Sequence, residues 1–151
     1  MKLEERNNNM LRVVLDTNVI VSMLIGKSGT LNKIYQALEK GIFDIVISDE
    51  ILEEYRQVLS RDVIRRYTKL SLDEINAFLS DLYKESIKIP QPNTMKVVKK
   101  DKSDDKFVSC ALEGKAHFLV TGNVKHFQEL YGNYEGCKIC TPSEFWQDIE
   151  F

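Results

Sequence analysis

The feature that most constrains the fold of this chain is a regular alternation between short apolar runs and longer helical patterns. Strand-like runs occur at residues 11–15, 43–47, 87–89, 118–121 and 138–140. Between them, apolar residues recur at helical spacing, and no repeat or Pro/Gly-rich linker divides the chain. Such alternation is typical of βα units, whose helices cover both faces of a parallel sheet. The sequence therefore predicts an α/β fold, a three-layer α/β/α sandwich around a mostly parallel five-stranded sheet.

Local signals predict where several helices begin. Ser48 precedes one helical pattern, and Ser71 is followed three residues later by Glu74. Thr141 is likewise followed by Pro142 and Glu144. A Ser or Thr cap with an acid three residues on is a capping box, and proline is favoured in the first turn. These patterns predict helix starts after all three caps.

Length and charge limit the class of protein. A chain of 151 residues fits one domain with a substantial core. The polar residues 1–9 read as a disordered extension, followed by a single domain over residues 10–151. The formal net charge of −2 gives no global attraction to nucleic acid. Any polyanionic partner would therefore need local basic patches.

The cysteines and the hydropathy pattern favour a cytoplasmic protein. Three cysteines, an odd count, come without a secretory leader, so free thiols in a reducing compartment are expected. No uninterrupted apolar run is long enough for a membrane-spanning helix, so no membrane association is expected. Cys137 and Cys140 have the spacing of half a zinc site, but no second half is present.

Acidic residues follow several of the predicted strands. Asp16 closes the first apolar run, Glu54 lies early in the helix after the second, and Asp104 begins a third βα element. Asn123 follows the fourth strand. The carboxyl ends of parallel strands meet at one rim of a sheet, and oxygen ligands suit hard divalent cations. The pattern predicts a site for Mg²⁺ or Mn²⁺.

Helical geometry separates neighbouring acids. Glu54 falls at the edge of the apolar face of its helix, whereas Glu53 points nearly opposite. In the helix predicted from Asp104 to about Glu113, Asp104 lies in line with the apolar face and Asp105 is rotated away from it. The alternatives are that the two aspartates only complement the helix dipole and that Glu54 only pairs with a basic residue one turn away.

Four of these segments carry a resemblance to PIN-domain nucleases, extending from about Leu11 to Trp146. The first, residues 15–20 (Leu-Asp-Thr-Asn-Val-Ile), resembles the opening motif of that family. Residues 48–55 are similar to its second acidic motif, residues 101–107 to the third and residues 120–123 to the fourth. The resemblance implies that Asp16, Glu54 and Asp104 are the catalytic, metal-binding carboxylates. It implies a Mg²⁺- or Mn²⁺-dependent endoribonuclease that hydrolyses RNA phosphodiester bonds.

The fourth motif departs from the family pattern in one respect. Many members have aspartate where this chain has Asn123, and an amide brings an oxygen to a metal but no charge. Thr-Gly-Asn followed by Lys125-His126-Phe127 is similar to the VapC-like branch of toxin components from toxin–antitoxin systems. Membership of that branch would imply an antitoxin partner and a homodimer.

Other residues are expected to support this site. Five side chains could orient the ligands or their waters: Thr17, Asn18, Asp101, Asp105 and Thr121. Six could contact the RNA: Lys27, Arg56, Lys102, Lys106, Lys125 and His126. A structural cap or a solvated charged face is the competing interpretation for both groups.

Two rival functions remain open on the sequence. One is a catalytically degenerate PIN-like module that binds RNA or a protein without cleaving it, an interpretation that Asn123 favours. The other is a phosphatase with Asp16 as nucleophile, although the acid required two residues later is Asn18 here.

Overall fold

Six strands form one sheet at the centre of the molecule. The computed structural model describes residues 10–26, 29–90, 105–127 and 130–150. The strands are β1 (Leu11–Leu15), β2 (Phe43–Ile47), β3 (Ile87–Lys88), β4 (Phe118–Val120), β5 (Gly132–Tyr134) and β6 (Cys137–Cys140). Their order is β3-β2-β1-β4-β6-β5, and every neighbouring pair is parallel except β5 and β6. The predicted mostly parallel α/β architecture is confirmed.

The predicted number of strands, five, is wrong because β5 was missed. This strand has only three residues and pairs antiparallel with β6 at the edge of the sheet. The two are joined by Glu135 and Gly136, which both have positive φ angles of 51° and 85°. Two successive residues with positive φ make the type of tight turn that suits the twist of a hairpin. The polar segment before Cys137 therefore forms a hairpin strand.

Helices flank the sheet. They are α1 (Thr17–Ile25), α2 (Gly29–Glu39), α3 (Asp49–Leu59), α4 (Asp62–Thr68), α5 (Leu72–Glu85), α6 (Asp105–Glu113) and α7 (Pro142–Ile149). A short 3₁₀ turn, Val124–Phe127, follows β4. Ser48 caps α3, and Ser71 and Thr141 form the predicted capping boxes of α5 and α7. These predicted helix starts are confirmed.

The core lies on both faces of the sheet. Consecutive residues of β1 (13–15) and all residues of β2 are buried, although successive side chains of a strand point to opposite faces. Phe145 of α7 packs edge-on against Phe43 and Phe118, while α6 packs against β1, β2 and β4. The sheet is therefore covered by helices on both sides, as the sandwich architecture requires.

The strand order creates a crevice at one rim of the sheet. From β1 the chain moves outward through β2 to β3, and then returns to the other side of β1 with β4. Open α/β sheets bind their ligands where the strand order reverses, outside the carboxyl ends of the strands. Here that point lies between β1 and β4. Across the described ranges, no helix has the length and apolar character needed to cross a membrane.

Candidate active site

Asp16 is fixed at the carboxyl end of β1 by hydrogen bonds from three directions. Its backbone N–H donates to the carbonyl oxygen of Val120 on β4 at 2.9 Å. Its Oδ1 accepts from the backbone N–H of Thr17, and its Oδ2 accepts from Oγ1 of Thr121, each at 2.7 Å. The residue is only 5% exposed. The carboxylate is thus held in one orientation at the switch point of the sheet.

The local sequence explains why the chain turns at Asp16. With φ −63° and ψ 153°, Asp16 keeps an extended backbone and is the N-cap of α1. A carboxylate is favoured there because it accepts from a free N–H group and complements the positive end of the helix dipole. The strand-to-helix junction therefore places the negative charge at the rim.

Glu54 reaches the same rim from α3. Its Oε2 accepts a hydrogen bond from Oγ1 of Thr17, and its Oε1 lies 2.7 Å from Nζ of Lys106 at the start of α6. The side chain of Glu54 is 23% exposed, compared with 54% for Glu53, in line with the orientations predicted for this helix. Glu54 therefore joins α1, α3 and α6 through two polar contacts.

The two carboxylates influence each other. Burial raises the pKa of the Asp16 carboxyl above its usual range; the charge of Glu54 acts in the same direction, and hydrogen bonds from Thr121 and Thr17 partly oppose both. Two acids that share a desolvated rim repel each other when both are ionised. A cation bound between them would relieve that repulsion.

A buried tyrosine supports the strand that carries Asp16. Tyr55 is fully buried, and its hydroxyl donates a hydrogen bond to the carbonyl oxygen of Leu15, the residue before Asp16. Burial raises the pKa of Tyr55 well above its usual value, with the charge of Asp16 adding to the effect. The hydroxyl therefore stays protonated and acts as a donor.

The loop after β4 forms the opposite wall of the site. Oγ1 of Thr121 accepts from the backbone N–H of Asn123 at 3.0 Å. Nδ2 of Asn123 lies 3.0 Å from Nε2 of His126, so the amide nitrogen faces the imidazole. Oδ1 of Asn18 accepts from the backbone N–H of Gly122 at 3.0 Å. Asn18 thus ties the beginning of α1 to this loop.

The third acidic segment is only partly described. Asp104 lies outside the described residues, whereas Asp105 is 2% exposed at the first position of α6. Rotation about the helix axis placed Asp105 farther from the apolar face than Asp104, yet Asp105 is buried. The reason is that five consecutive residues of α6, 107–111, are buried, so the helix is covered on nearly all sides. A helical wheel cannot separate inward from outward positions there.

The predicted basic residues are placed unequally. Lys27 and Lys102 lie outside the described residues, as does the predicted supporting acid Asp101. Arg56 pairs with Glu53 at 3.1 Å on the exposed side of α3, and Lys125 is exposed on the 3₁₀ turn. Lys106 contacts Glu54 directly. Of these basic residues, therefore, Lys106 is the one that the described structure places against a predicted carboxylate.

The donor chemistry of the rim fits a hard divalent cation. Within the described ranges, no group of three or more His, Cys, Asp or Glu side chains is arranged to hold a metal ion. The carboxylates of Asp16 and Glu54 are nevertheless joined through Thr17, and carboxylate oxygens are ligands that Mg²⁺ prefers.

The cysteines are buried and separate from this chemistry. Cys110, Cys137 and Cys140 are free thiols in the interior. Burial raises the pKa of each to about 12. Such thiols are unreactive at neutral pH, because the thiolate is the reactive form.

Sequence reasoning missed two relationships in the site. The sequence predicts an RNA contact for Lys106, and it does not predict a role in the site for Tyr55. A buried tyrosine hydroxyl usually has a hydrogen-bond partner, which is the signal that could have indicated the role of Tyr55. The ion pair between Lys106 and Glu54 had no local signal, because the two helices are brought together by tertiary packing.

Comparisons with known proteins bear on the family and the fold. The family model of the PIN domain matches residues 12–125. An uncharacterised protein of Methanocaldococcus jannaschii is 30% identical to this chain, in an alignment that covers 98% of this chain and 97% of that protein.

Solved structures of VapBC complexes share the fold. VapBC2 from Rickettsia felis, bound to a DNA fragment from its promoter, matches with a TM-score of 0.57 and 17% identity over 87% of this chain and 98% of that chain. VapBC-1 from nontypeable Haemophilus influenzae matches with a TM-score of 0.57 and 16% identity over 88% and 99%. DNA-bound VapBC from Salmonella typhimurium gives 0.57 and 15% over the same shares. At these identities the likeness shows a common fold alone.

Proposed function

The chain belongs to the PIN domain family, and we propose on that premise that it is a divalent-metal-dependent endoribonuclease that hydrolyses RNA phosphodiester bonds. One observation carries the proposal: Asp16 and Glu54, from different elements, are linked through Thr17 at the switch point of the sheet. The hydrogen bonds to Asp16 orient its carboxylate at the rim of the sheet. Such an arrangement suits a bound cation better than it suits packing.

The proposed metal ligands are Asp16, Glu54 and a carboxylate of the segment that begins α6. The motif resemblance assigns that third position to Asp104, and the burial of Asp105 beside Lys106 makes Asp105 the alternative. Asn123 would contribute a neutral amide oxygen or orient water. Thr17 and Thr121 would keep the carboxylates in position through the hydrogen bonds described above.

A bound Mg²⁺ or Mn²⁺ would supply Lewis-acid activation of water and neutralise charge on the phosphate. The chain itself contributes preorganisation, because both oxygens of Asp16 are already fixed by hydrogen bonds. His126 lies beside Asn123 on the loop wall, and we assign it to contact with the phosphate. No side-chain nucleophile is needed for hydrolysis by this route.

A cleavage assay with matched acid variants tests the enzymatic proposal. Wild-type protein and Glu53→Gln are expected to cleave RNA in Mn²⁺ or Mg²⁺ and to stop when EDTA is added. Asp16→Asn and Glu54→Gln should lose activity by about a hundred-fold or more, since the charge stabilisation supplied by a metal amounts to several kcal/mol. Glu53 is the control, because it is an exposed acid next to Glu54. Equal activity in Glu53→Gln and Glu54→Gln would contradict the proposed site.

The same assay assigns the third carboxylate. Asp104→Asn and Asp105→Asn are each compared with wild type for cleavage rate and for melting temperature. A ligand variant should lose cleavage and the stabilisation by Mn²⁺. If a residue only complements the helix dipole, its variant should cleave RNA within a fewfold of the wild-type rate and should still be stabilised by Mn²⁺.

A catalytically degenerate module is the second candidate. The observation in its favour is Asn123, whose amide brings no charge and whose nitrogen faces His126. Binding of structured or unstructured RNA without cleavage in any divalent metal would support this function. The outcome would be strengthened if Asn123→Asp then produced metal-dependent cleavage.

We propose further that the nuclease is the toxin of a toxin–antitoxin pair. Three solved structures that share this fold are VapBC complexes, and two of them are bound to DNA. An antitoxin would inhibit the chain by covering the acidic rim. Expression of the chain alone should arrest growth, whereas co-expression with the product of a neighbouring small gene should restore growth and yield a complex. Growth arrest by Asp16→Asn as well would refute toxicity through cleavage.

Exposed apolar residues on α4 and α5 are the basis of the proposed homodimer interface. Val63 and Tyr67 lie one turn apart on α4 and are each 58% exposed, and Leu72 at the start of α5 is also exposed. Exposed apolar patches commonly mark protein interfaces. Val63→Asp combined with Tyr67→Ser should convert a dimer to a monomer in light scattering. Ile42→Ser, at another exposed apolar position, should leave the oligomeric state unchanged.

A further inference from the structure

Lys106 occupies an unusual place in the acidic site. It is the second residue of α6, and its Nζ lies 2.7 Å from Oε1 of Glu54. Its side chain is 20% exposed, so the ammonium group is partly withdrawn from water. The other oxygen of Glu54 accepts from Thr17. Both oxygens of this carboxylate therefore have partners before any cation is present.

The charge balance shows what the lysine does. Within the described part of the site, the acids Asp16 and Glu54 share one rim, Asp105 is a third acid next to Lys106 in the sequence, and Lys106 brings a positive charge into contact with Glu54. A divalent cation on Oε1 would stand close to the ammonium group, and like charges at such a distance repel strongly. Oε1 of Glu54 therefore cannot contact Lys106 and a divalent cation at the same time without repulsion between the two positive charges.

The ion pair can be exchanged at small cost. Partly exposed pairs contribute little to stability, because water screens them and long side chains lose freedom when held. Lysine has a flexible stem and a strongly hydrated ammonium group, so it can swing into solvent. The pair is therefore strong enough to offset negative charge at the rim and weak enough to be replaced by a cation.

We propose that Lys106 is a positioning residue that acts as a displaceable counter-ion, holding Oε1 of Glu54 until a divalent cation takes its place. The inference rests on the proposed function, because it assumes that Glu54 is a metal ligand. Its consequence is that Lys106 weakens the affinity for divalent metal and so sets the metal concentration at which the site fills. The ion pair with Lys106 also keeps Glu54 oriented toward the rim before a cation binds.

Binding of Mn²⁺ to the metal-free protein tests the inference without any RNA. Calorimetric titration is compared for wild type, Lys106→Met, Lys106→Gln and Lys106→Arg. Removal of the charge should tighten Mn²⁺ binding by about two- to fivefold, the change that corresponds to releasing one partly exposed ion pair. Lys106→Arg should bind as wild type does. Lys84→Met removes an exposed charge from α5 and should leave the affinity unchanged.

The outcomes separate this inference from the proposed function. Tighter binding in both Lys106→Met and Lys106→Gln, with circular dichroism showing folded protein, supports the counter-ion role. Equal or weaker binding in both folded variants, alongside clear binding in wild type, overturns that role and leaves the metal site intact. Absence of Mn²⁺ binding in wild type and Lys84→Met alike would overturn the metal site and this inference together.

Discussion

The hydroxyl of Tyr55 offers a clear test of how the rim is supported, because a single oxygen atom can be removed. In Tyr55→Phe the aromatic ring keeps its place in the core, and only the hydrogen bond to the carbonyl oxygen of Leu15 is lost. Nothing else of comparable size changes in the packing. The variant therefore isolates the contribution of one buried polar contact directly beside Asp16.

The size of the effect follows from burial. Removing one partner of a buried hydrogen bond leaves the other desolvated and costs about 1–3 kcal/mol. For a domain of this size each kcal/mol shifts the melting temperature by roughly 2–4 °C, so Tyr55→Phe should melt about 2–12 °C below wild type. Equilibrium denaturation in urea should give the same loss in the free energy of unfolding.

Tyr83→Phe is the matched control. The hydroxyl of Tyr83 donates to Oδ1 of Asp49 at 3.2 Å, but this bond lies on the exposed surface. Water replaces the lost partner there, so the melting temperature should stay within experimental error of wild type. If Tyr55→Phe and Tyr83→Phe have the same stability, the hydroxyl of Tyr55 does not support the strand end, and the reasoning from burial is refuted.

Three further predictions concern stability away from the acidic pair. Burial lowers the pKa of His117 below 6.5. The stability that neutral His117 contributes is therefore complete above its pKa in the unfolded chain and is lost as pH falls through its lower pKa in the folded protein. The stability advantage of wild type over His117→Gln, measured by urea denaturation, should shrink between pH 7.5 and pH 5. Gly114→Ala should cost about 1–3 kcal/mol in the same assay, because the new Cβ would stand 2.4 Å from Cγ1 of Val46, and a variant as stable as wild type would show that the contact relaxes freely. Glu135→Asn should raise the melting temperature slightly, because asparagine tolerates the positive φ of the hairpin turn better than glutamate does, and a lower value would contradict the turn geometry.

Several helices of the fold can be predicted from residues that are close together in the sequence. Helix starts such as those after Ser71 and Thr141 depend on residues three positions apart, so the sequence alone predicts them. The strand β5 has no such signal. Its three residues, Gly-Asn-Tyr, do not form an apolar run, and they become a strand because the turn at Glu135 brings them against β6. An edge strand defined by its partner is not visible in its own residues.

The candidate site divides in the same way. Asp16 and Glu54 could be predicted because one ends an apolar strand and the other lies at the edge of an amphipathic helix. Their connection through Thr17, and the ion pair of Glu54 with Lys106, depend on how α1, α3 and α6 pack together. The burial of Asp105 depends on the elements that surround α6. Such contacts between distant segments leave no periodic trace.

The double duty of Asp16 affects how relatives of this chain should be interpreted. An oxygen at position 16 caps a helix as well as facing the rim, so a relative without nuclease activity would still gain stability from aspartate or asparagine there. The presence of aspartate at this position in a relative is consequently weak evidence that the relative is an active enzyme. Glu54 does not cap a helix, so its loss together with Lys106 would indicate a loss of catalytic activity far more clearly.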